Sequence, residues 1–198
     1  MNGKTHQLIG ATTSIVASTV AIQLGLVELT VCVTMVAGSC LGSYIPDMDH
    51  PGSTLGKKIA IISHPINLLS RMFLAIHGKT KGKISLWFGE LFAHRGLFHS
   101  PLFWIAIMAT MFLCVLPLLT VPLVYQLVAG ILVGLSIGIG MHLIADMFNP
   151  TGIPLLIPFS MRKTSIGKIV TGSRKEWGVI AICSIILVAD MAFIIFLK

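Results

Sequence analysis

The stretch LVYQLVAGILVGLSIGIGMHLIADMF, Leu123 to Phe148, decides how this chain is read. It holds no lysine, arginine or glutamate, and it stops at Asn149-Pro150. As a helix rising about 1.5 Å per residue it is long enough to cross a hydrocarbon core of about 30 Å. Its only histidine and its only carboxylate, His142 and Asp146, come near the end. They are four residues apart, so on a helix they share one face, about a turn from each other. A greasy helix that carries an imidazole and a carboxylate side by side predicts a membrane protein with a polar site at one end. The glycines Gly130, Gly134, Gly138 and Gly140 of the same run permit close packing of a neighbouring helix.

The rest of the chain agrees. Its 198 residues are 55% hydrophobic and 11% charged, with mean hydropathy +0.93, which excludes an ordinary soluble domain. Four further apolar runs accompany the first: Leu8 to Val27, closed by Glu28; Leu29 to Ile45, ended by Pro46; Pro101 to Leu119, with Ser100 as N-cap and Pro101 in the first turn; and Trp177 to Leu197, with an interfacial tryptophan at its entry. The expected fold is all-α, a polytopic helical bundle of about five spans forming one integral-membrane domain over residues 1–198. Gly56 to His77 mixes basic and apolar residues and suits an amphipathic segment in the interface, broken at Pro65 and followed by a solvated loop from Gly78 to Lys83. Cys32, Cys40, Cys114 and Cys183 lie in apolar runs without C-x-x-C spacing and read as small buried hydrophobes.

Charge gives an orientation. Lys57, Lys58, Arg71, Lys79, Lys81, Lys83 and Arg95 lie between the second and third spans, and Arg162, Lys163, Lys168, Arg174 and Lys175 follow the fourth. The loops at Glu28 and at Thr120 to Pro122 have no lysine or arginine. The positive-inside bias therefore puts the N-terminus in the cytoplasm and Lys198 outside, with the first span read as an uncleaved anchor. The net charge of +7 reads as this orientation signal, and no nucleic-acid partner is expected. The lipid bilayer is the expected surrounding.

On that topology four polar clusters meet at the cytoplasmic face: His6; Asp47, Asp49 and His50; His94, Arg95 and His99; His142 and Asp146. Histidine with carboxylate is a common ligand set for zinc or manganese. Each cluster also has a plainer reading. His142 and Asp146 form a structural pair, Asp47 and Asp49 an ordinary turn after Pro46, and the His94–His99 segment a wet surface facing lipid headgroups. Arg95 offers a planar cation to a phosphate or carboxylate. His64 and His77 are expected to face headgroups or water. Asp190, inside the last run, is expected to hydrogen-bond a neighbouring helix, with an ion pathway as the alternative.

Thr5-His6 with Gly10, Ser43-Tyr-Ile-Pro-Asp47-Met-Asp49-His50-Pro51, His94-Arg-Gly-Leu-Phe-His99-Ser100, and His142-Leu-Ile-Ala-Asp146 with Gly152 together resemble the YdjM-type bacterial inner-membrane family. The resemblance spans nearly the whole chain and implies a metal-dependent hydrolase of the bacterial inner membrane. More distantly, His142 and Asp146 are similar to the H-x-x-x-D pair of the zinc-dependent phospholipase C and P1 nuclease superfamily. That superfamily's N-terminal tryptophan ligand and later H-x-x-x-E are missing here, so one or two divalent ions, zinc or manganese, are implied and not three.

Hydrolysis of a phosphoester or lipid at the cytoplasmic interface follows as the implied activity. His6, Asp47, His99, His142 and Asp146, with His50 added, are the implied ligands; Asp49 and His94 are catalytic partners or a general base, and Arg95 holds a phosphoryl oxygen. Two other classes compete: a metal-ion or proton transporter, which needs ligands near the midplane and access from both faces, and a non-catalytic membrane protein with a structural metal. A zinc protease is disfavoured because no H-E-x-x-H occurs.

Overall fold

The computed structural model describes residues 1–196; Leu197 and Lys198, and with them the expected outer end of the chain, lie outside the described residues. All five apolar runs form helices: α1 (Gly3–Gln23), α2 (Leu29–Gly42), α6 (Pro101–Val115), α7 (Pro122–Met147) and α8 (Arg174–Phe196). Between α2 and α6 lie α3 (Thr54–Lys58), α4 (Ala60–Thr80) and α5 (Lys83–Leu91). Short 3-10 turns extend α2 at Ile45–Asp49, precede α6 at Leu97–His99 and follow it at Leu116–Thr120.

Among the described residues four segments, not the expected five, are both long and apolar enough to cross a membrane: Leu29–Asp49, Pro101–Thr120, Pro122–Met147 and Arg174–Phe196. The difference is α1. Its 21 residues have the length, but its buried residues, Ile9 and Gly10 apart, are polar: Thr5, His6, Thr12, Ser14, Ser18 and Thr19. The helix that carries these side chains packs against α2, α7 and α8. Asp190 meets one of them: the Thr19 hydroxyl donates to its carboxylate at 2.9 Å, the helix-to-helix contact expected.

The centre of the bundle is the α2–α7 pair, with α1 laid against both. Here the glycines of α7 are required. A Cβ on Gly134 or Gly138 would collide with the backbone of α2 at Met35 or Ser39. Without side chains at the contact the two backbones touch; on the other side Ser39 Oγ ties α2 to α1 by donating to the Gly10 carbonyl, and Ser43 Oγ donates back to the Ser39 carbonyl, each at 2.8 Å. A buried apolar cluster of Trp104, Ile139, Leu143 and Ile153 joins α6, α7 and the loop that follows α7.

Two expectations about the connecting segments need correction. The α4 helix runs through Pro65 instead of breaking there, and it extends to Thr80, leaving only Lys81 and Gly82 as a turn. Proline removes one helical hydrogen bond, but α4 is not alone. It folds back on α5 as a hairpin in which Phe73 stacks on Phe88, ring centres 5.1 Å apart, and Ser70 Oγ donates to the Gly89 carbonyl at 2.8 Å. Lys81 makes the turn in a left-handed conformation, φ 55°, and His77 Nδ1 closes it on the Gly82 carbonyl at 2.9 Å. The loop after α7 contains a two-stranded antiparallel ladder, β1 (Ile153–Pro154) with β2 (Lys163–Thr164). Cys32 and Cys183 are buried as expected, whereas Cys114 is exposed on α6; all four cysteines are free.

Candidate metal centre

The ends of α1, α2 and α7 and the turn before α6 converge, and with them the four polar clusters. His6 sits one turn into α1, whose start is doubly tied. Asn2 caps it, accepting from the Thr5 amide at 2.9 Å. Glu176, buried in the first turn of α8, then accepts from the Asn2 and Gly172 amides, both at 2.6 Å. Pro46 turns the chain at the end of α2 so that Asp47 and Asp49 point inward, Asp49 fully. The turn before α6 delivers His99, and α7 supplies His142 and Asp146 from one face.

His6, His99, His142, Asp49 and Asp146 are all buried. His99 Nε2 lies 3.4 Å from Asp47 Oδ1 and 3.4 Å from Asp146 Oδ2. His142 Nε2 lies 3.6 Å from Asp47 Oδ1 and 3.8 Å from Asp146 Oδ2, and His6 Nε2 is 3.5 Å from Asp146 Oδ1. These separations are too long for good hydrogen bonds, and the Nε2 atoms of His99 and His142 have no hydrogen-bond partner although buried. They match another geometry. Donors about 2.1 Å from a tetrahedral zinc stand about 3.4 Å from one another.

The outer ring nitrogen of His142 is already committed. Its Nδ1–H donates to the Ser43 carbonyl at 2.7 Å, which leaves the Nε2 lone pair facing the carboxylates. Fixing one imidazole nitrogen on a carbonyl is how proteins orient a histidine toward a metal. His6 stacks on His142 with ring centres 4.0 Å apart. Burial works against a charge on His99, but Asp146 and Asp47 beside it outweigh that and hold its pKa up at about 9. Without a metal ion, the proton on His99 and the Arg95 guanidinium beside Asp146 balance the two carboxylates.

Three sets of donors come close enough to share an ion: His6, His142 and Asp146; Asp47, His99 and His142; Asp49, His94 and His99. The first and third sets share no residue and so can be filled together. The donor set therefore fits one or two ions. His94 is partly exposed and its Nδ1 is 3.1 Å from Asp49 Oδ1. Arg95, held in a left-handed conformation at φ 62°, donates from NH2 to Asp146 Oδ1 at 3.1 Å. The structure leaves His50 outside the three sets; it is exposed and stacks on His94 at 4.5 Å. His64 is exposed and takes no part.

Of the residues that organise the site, sequence reasoning missed Ser43 and Glu176. Ser43 acts through its backbone carbonyl, which no side-chain pattern announces. Glu176 had a signal, a lone carboxylate at the mouth of an apolar run.

The YdjM inner membrane protein family model matches residues 1–197. The chain belongs to this family. It is 33% identical over 128 residues to the inner membrane protein YdjM of Escherichia coli K12, covering 65% of this chain and 51% of that protein. The chain thus spans about half the length of that relative. The uncharacterized protein YvsG of Bacillus subtilis 168 is 30% identical over 181 residues, 91% of this chain and 88% of YvsG. No solved structure matches. The family and the four spans make the chain a multi-pass inner-membrane protein. None of these relatives' names carries an activity.

Proposed function

We propose that this YdjM-family chain is a metal-dependent hydrolase of the inner membrane, acting on a phosphoester or lipid at the cytoplasmic interface with its N-terminus on that side. The observation that carries the reading is the set of buried, unpartnered Nε2 atoms on His99 and His142, spaced 3.4 to 3.8 Å from Asp47 and Asp146. Leaving such groups without partners costs several kcal/mol in a dry interior, and a divalent cation removes that cost. Zinc or manganese suits the donors.

A bound divalent ion supplies Lewis acidity and brings the pKa of a water toward about 7. The chain's residues do the rest. Asp47 and Asp146 provide the negative charge that retains a cation, and the Ser43 carbonyl keeps His142 in one tautomer. Asp49 holds Nδ1 of His94, so that Nε2, on the partly exposed edge, is free to take a proton from water as general base. Arg95 stands beside Asp146, where a phosphoryl oxygen would gain a planar cation. The hairpin α4–α5 and the loop after α7 bring the basic residues to the same end of the bundle, which supports a cytoplasmic site.

A transporter is disfavoured because the donors gather at one end of the helices, not at their midpoints. The test is elemental analysis of the protein purified without added chelator, wild type beside His142→Ala and His64→Ala. Wild type and His64→Ala should each retain one to two equivalents of zinc or manganese, and His142→Ala should lose most of it while still inserting. Equal metal in all three, or none in wild type, overturns the proposal. Hydrolysis of phosphoester and phospholipid substrates by the loaded protein then reads the activity.

A further inference from the structure

Arg95 has a second side. Its NH2 group reaches Asp146, but its Nε is buried and has no hydrogen-bond partner. Arg95 also lines a cavity of about 180 Å³, together with Glu90, Ala93, Pro154, Ile157, Met161 and Lys163. The far wall is built, not loose. Ile153 and Ile157 are fully buried, Ser100 Oγ donates to the Ile157 carbonyl at 3.2 Å, and Trp87 Nε1 to the Pro158 carbonyl at 3.2 Å. The ladder of β1 with β2 then fixes Lys163 at the cavity's edge. Among the described residues Lys163 has no ion-pair partner, and Glu90 is paired with neither cation.

Two cations lining one small space, the guanidinium held in place by its bond to Asp146, form a cradle for an anion of high charge density. The cavity is smaller than a typical organic-ligand pocket of about 300 to 1,000 Å³, so it suits a single small group. We infer that this cavity binds a phosphate group between Arg95 and Lys163. This deepens the hydrolase reading and rests on it for its purpose: the guanidinium that would hold the phosphate also touches Asp146, so the anion lies one side chain away from the proposed metal ligands. Lys163 then becomes a specificity-determining residue, and the loop after α7 becomes a wall of the site rather than a connector. Glu90, at the same rim, sets a limit on the charge that fits, favouring one phosphate over a polyanion.

The experiment uses full-length protein in lipid nanodiscs and measures binding of inorganic phosphate and, separately, of phosphatidic acid, alongside metal content. Variants are Lys163→Ala and Lys163→Glu, with exposed Lys168→Ala as control. Loss of one charge-assisted contact should weaken phosphate binding by roughly tenfold or more in Lys163→Ala. Lys163→Glu should abolish it, with metal content unchanged and Lys168→Ala like wild type. A Lys163-dependent affinity for phosphatidic acid well above that for free phosphate assigns the cradle to a lipid head; the reverse assigns it to a soluble phosphate, and either supports the cavity. Phosphate affinity indifferent to Lys163 overturns the inference, whatever the metal content. A metal-free wild type that still binds phosphate through Lys163 keeps the cavity and removes the hydrolase reading, so the two failures are distinguishable.

Discussion

Replacing Gly138 by alanine tests whether the α2–α7 seam sets the geometry of the site. A methyl group at this position would lie 2.8 Å from the Ser43 nitrogen and closer still to the Ser39 carbonyl oxygen, where ordinary contact begins at 3.4 Å. Both obstructing atoms are backbone, so no side chain can swing aside. The end of α2 must therefore retreat by about 0.6 Å at Ser43 and by more at Ser39, on the order of 1 Å overall. The Ser43 carbonyl accepts from His142 Nδ1 at 2.7 Å, and a retreat of about 1 Å carries that pair past the hydrogen-bonding range of about 3.2 Å. His142 then loses its fixed tautomer, and Asp47, just beyond on the same segment, shifts with it. Losing an orienting partner of this kind costs about 10- to 100-fold in metal affinity, or about 1.4 to 2.7 kcal/mol. The assay is competitive titration against a chelator of known affinity, with Gly140→Ala as the comparison. Gly140 lies on the same helix and an added Cβ there meets nothing within 4 Å. Helical content by circular dichroism should be the same in both variants. If Gly138→Ala binds metal as tightly as Gly140→Ala, the close approach does not govern the site and the reasoning fails.

Two further outcomes are expected. In metal-free protein His99 has its pKa raised from 6.5 to about 9. Its protonation therefore stabilises the metal-free fold fully below pH 6.5, and this contribution is lost as pH rises through about 9. A cation competes with that proton, so zinc affinity should rise between pH 6.5 and 9, with proton release on binding in that window; calorimetry in buffers of different ionisation enthalpy reads the release, and binding without it contradicts the assignment. Asp190 and Thr19 should show a coupling of about 0.6 kcal/mol, at most about 1.7, in a double-mutant cycle of Asp190→Leu and Thr19→Val followed by unfolding in detergent. Metal content should not change in any member of the cycle, and a change would reinstate an ionic role for Asp190.

The helices were legible because an apolar run of about 20 residues has few other fates. What misled was α1, whose length passed while its serines and threonines were read as part of a greasy run. A helix buried among protein neighbours can carry hydroxyls that a helix facing lipid cannot, and a run-by-run reading does not see the neighbours. The α4–α5 hairpin was hidden for a related reason. Pro65 looks like a break when α4 is considered alone, and the compensating stack of Phe73 on Phe88 joins residues in two helices. The site, by contrast, was legible, since ionisable residues are conspicuous in a chain with so few. Its internal order was not. That Asp49 turns to His94 while Asp47 turns to His99 and His142 depends on the 3-10 turn after Tyr44, and nothing in Pro-Asp-Met-Asp distinguishes the two carboxylates.

The same internal order bears on whether the centre is structural or reactive. A structural zinc site is closed, with four protein donors sealed from solvent. Here the donor sets that include Asp47 or Asp49 keep one exposed edge. Asp47 retains 23% of its side-chain exposure and His94 34%, while His6, His99 and His142 have at most 2%. The exposed edge is shared by His94 and Asp47, and Arg95, which lines the neighbouring cavity, bonds Asp146. The proposed hydrolase would need such an exposed edge for water to reach the site, whereas a centre built only to hold helices together would not.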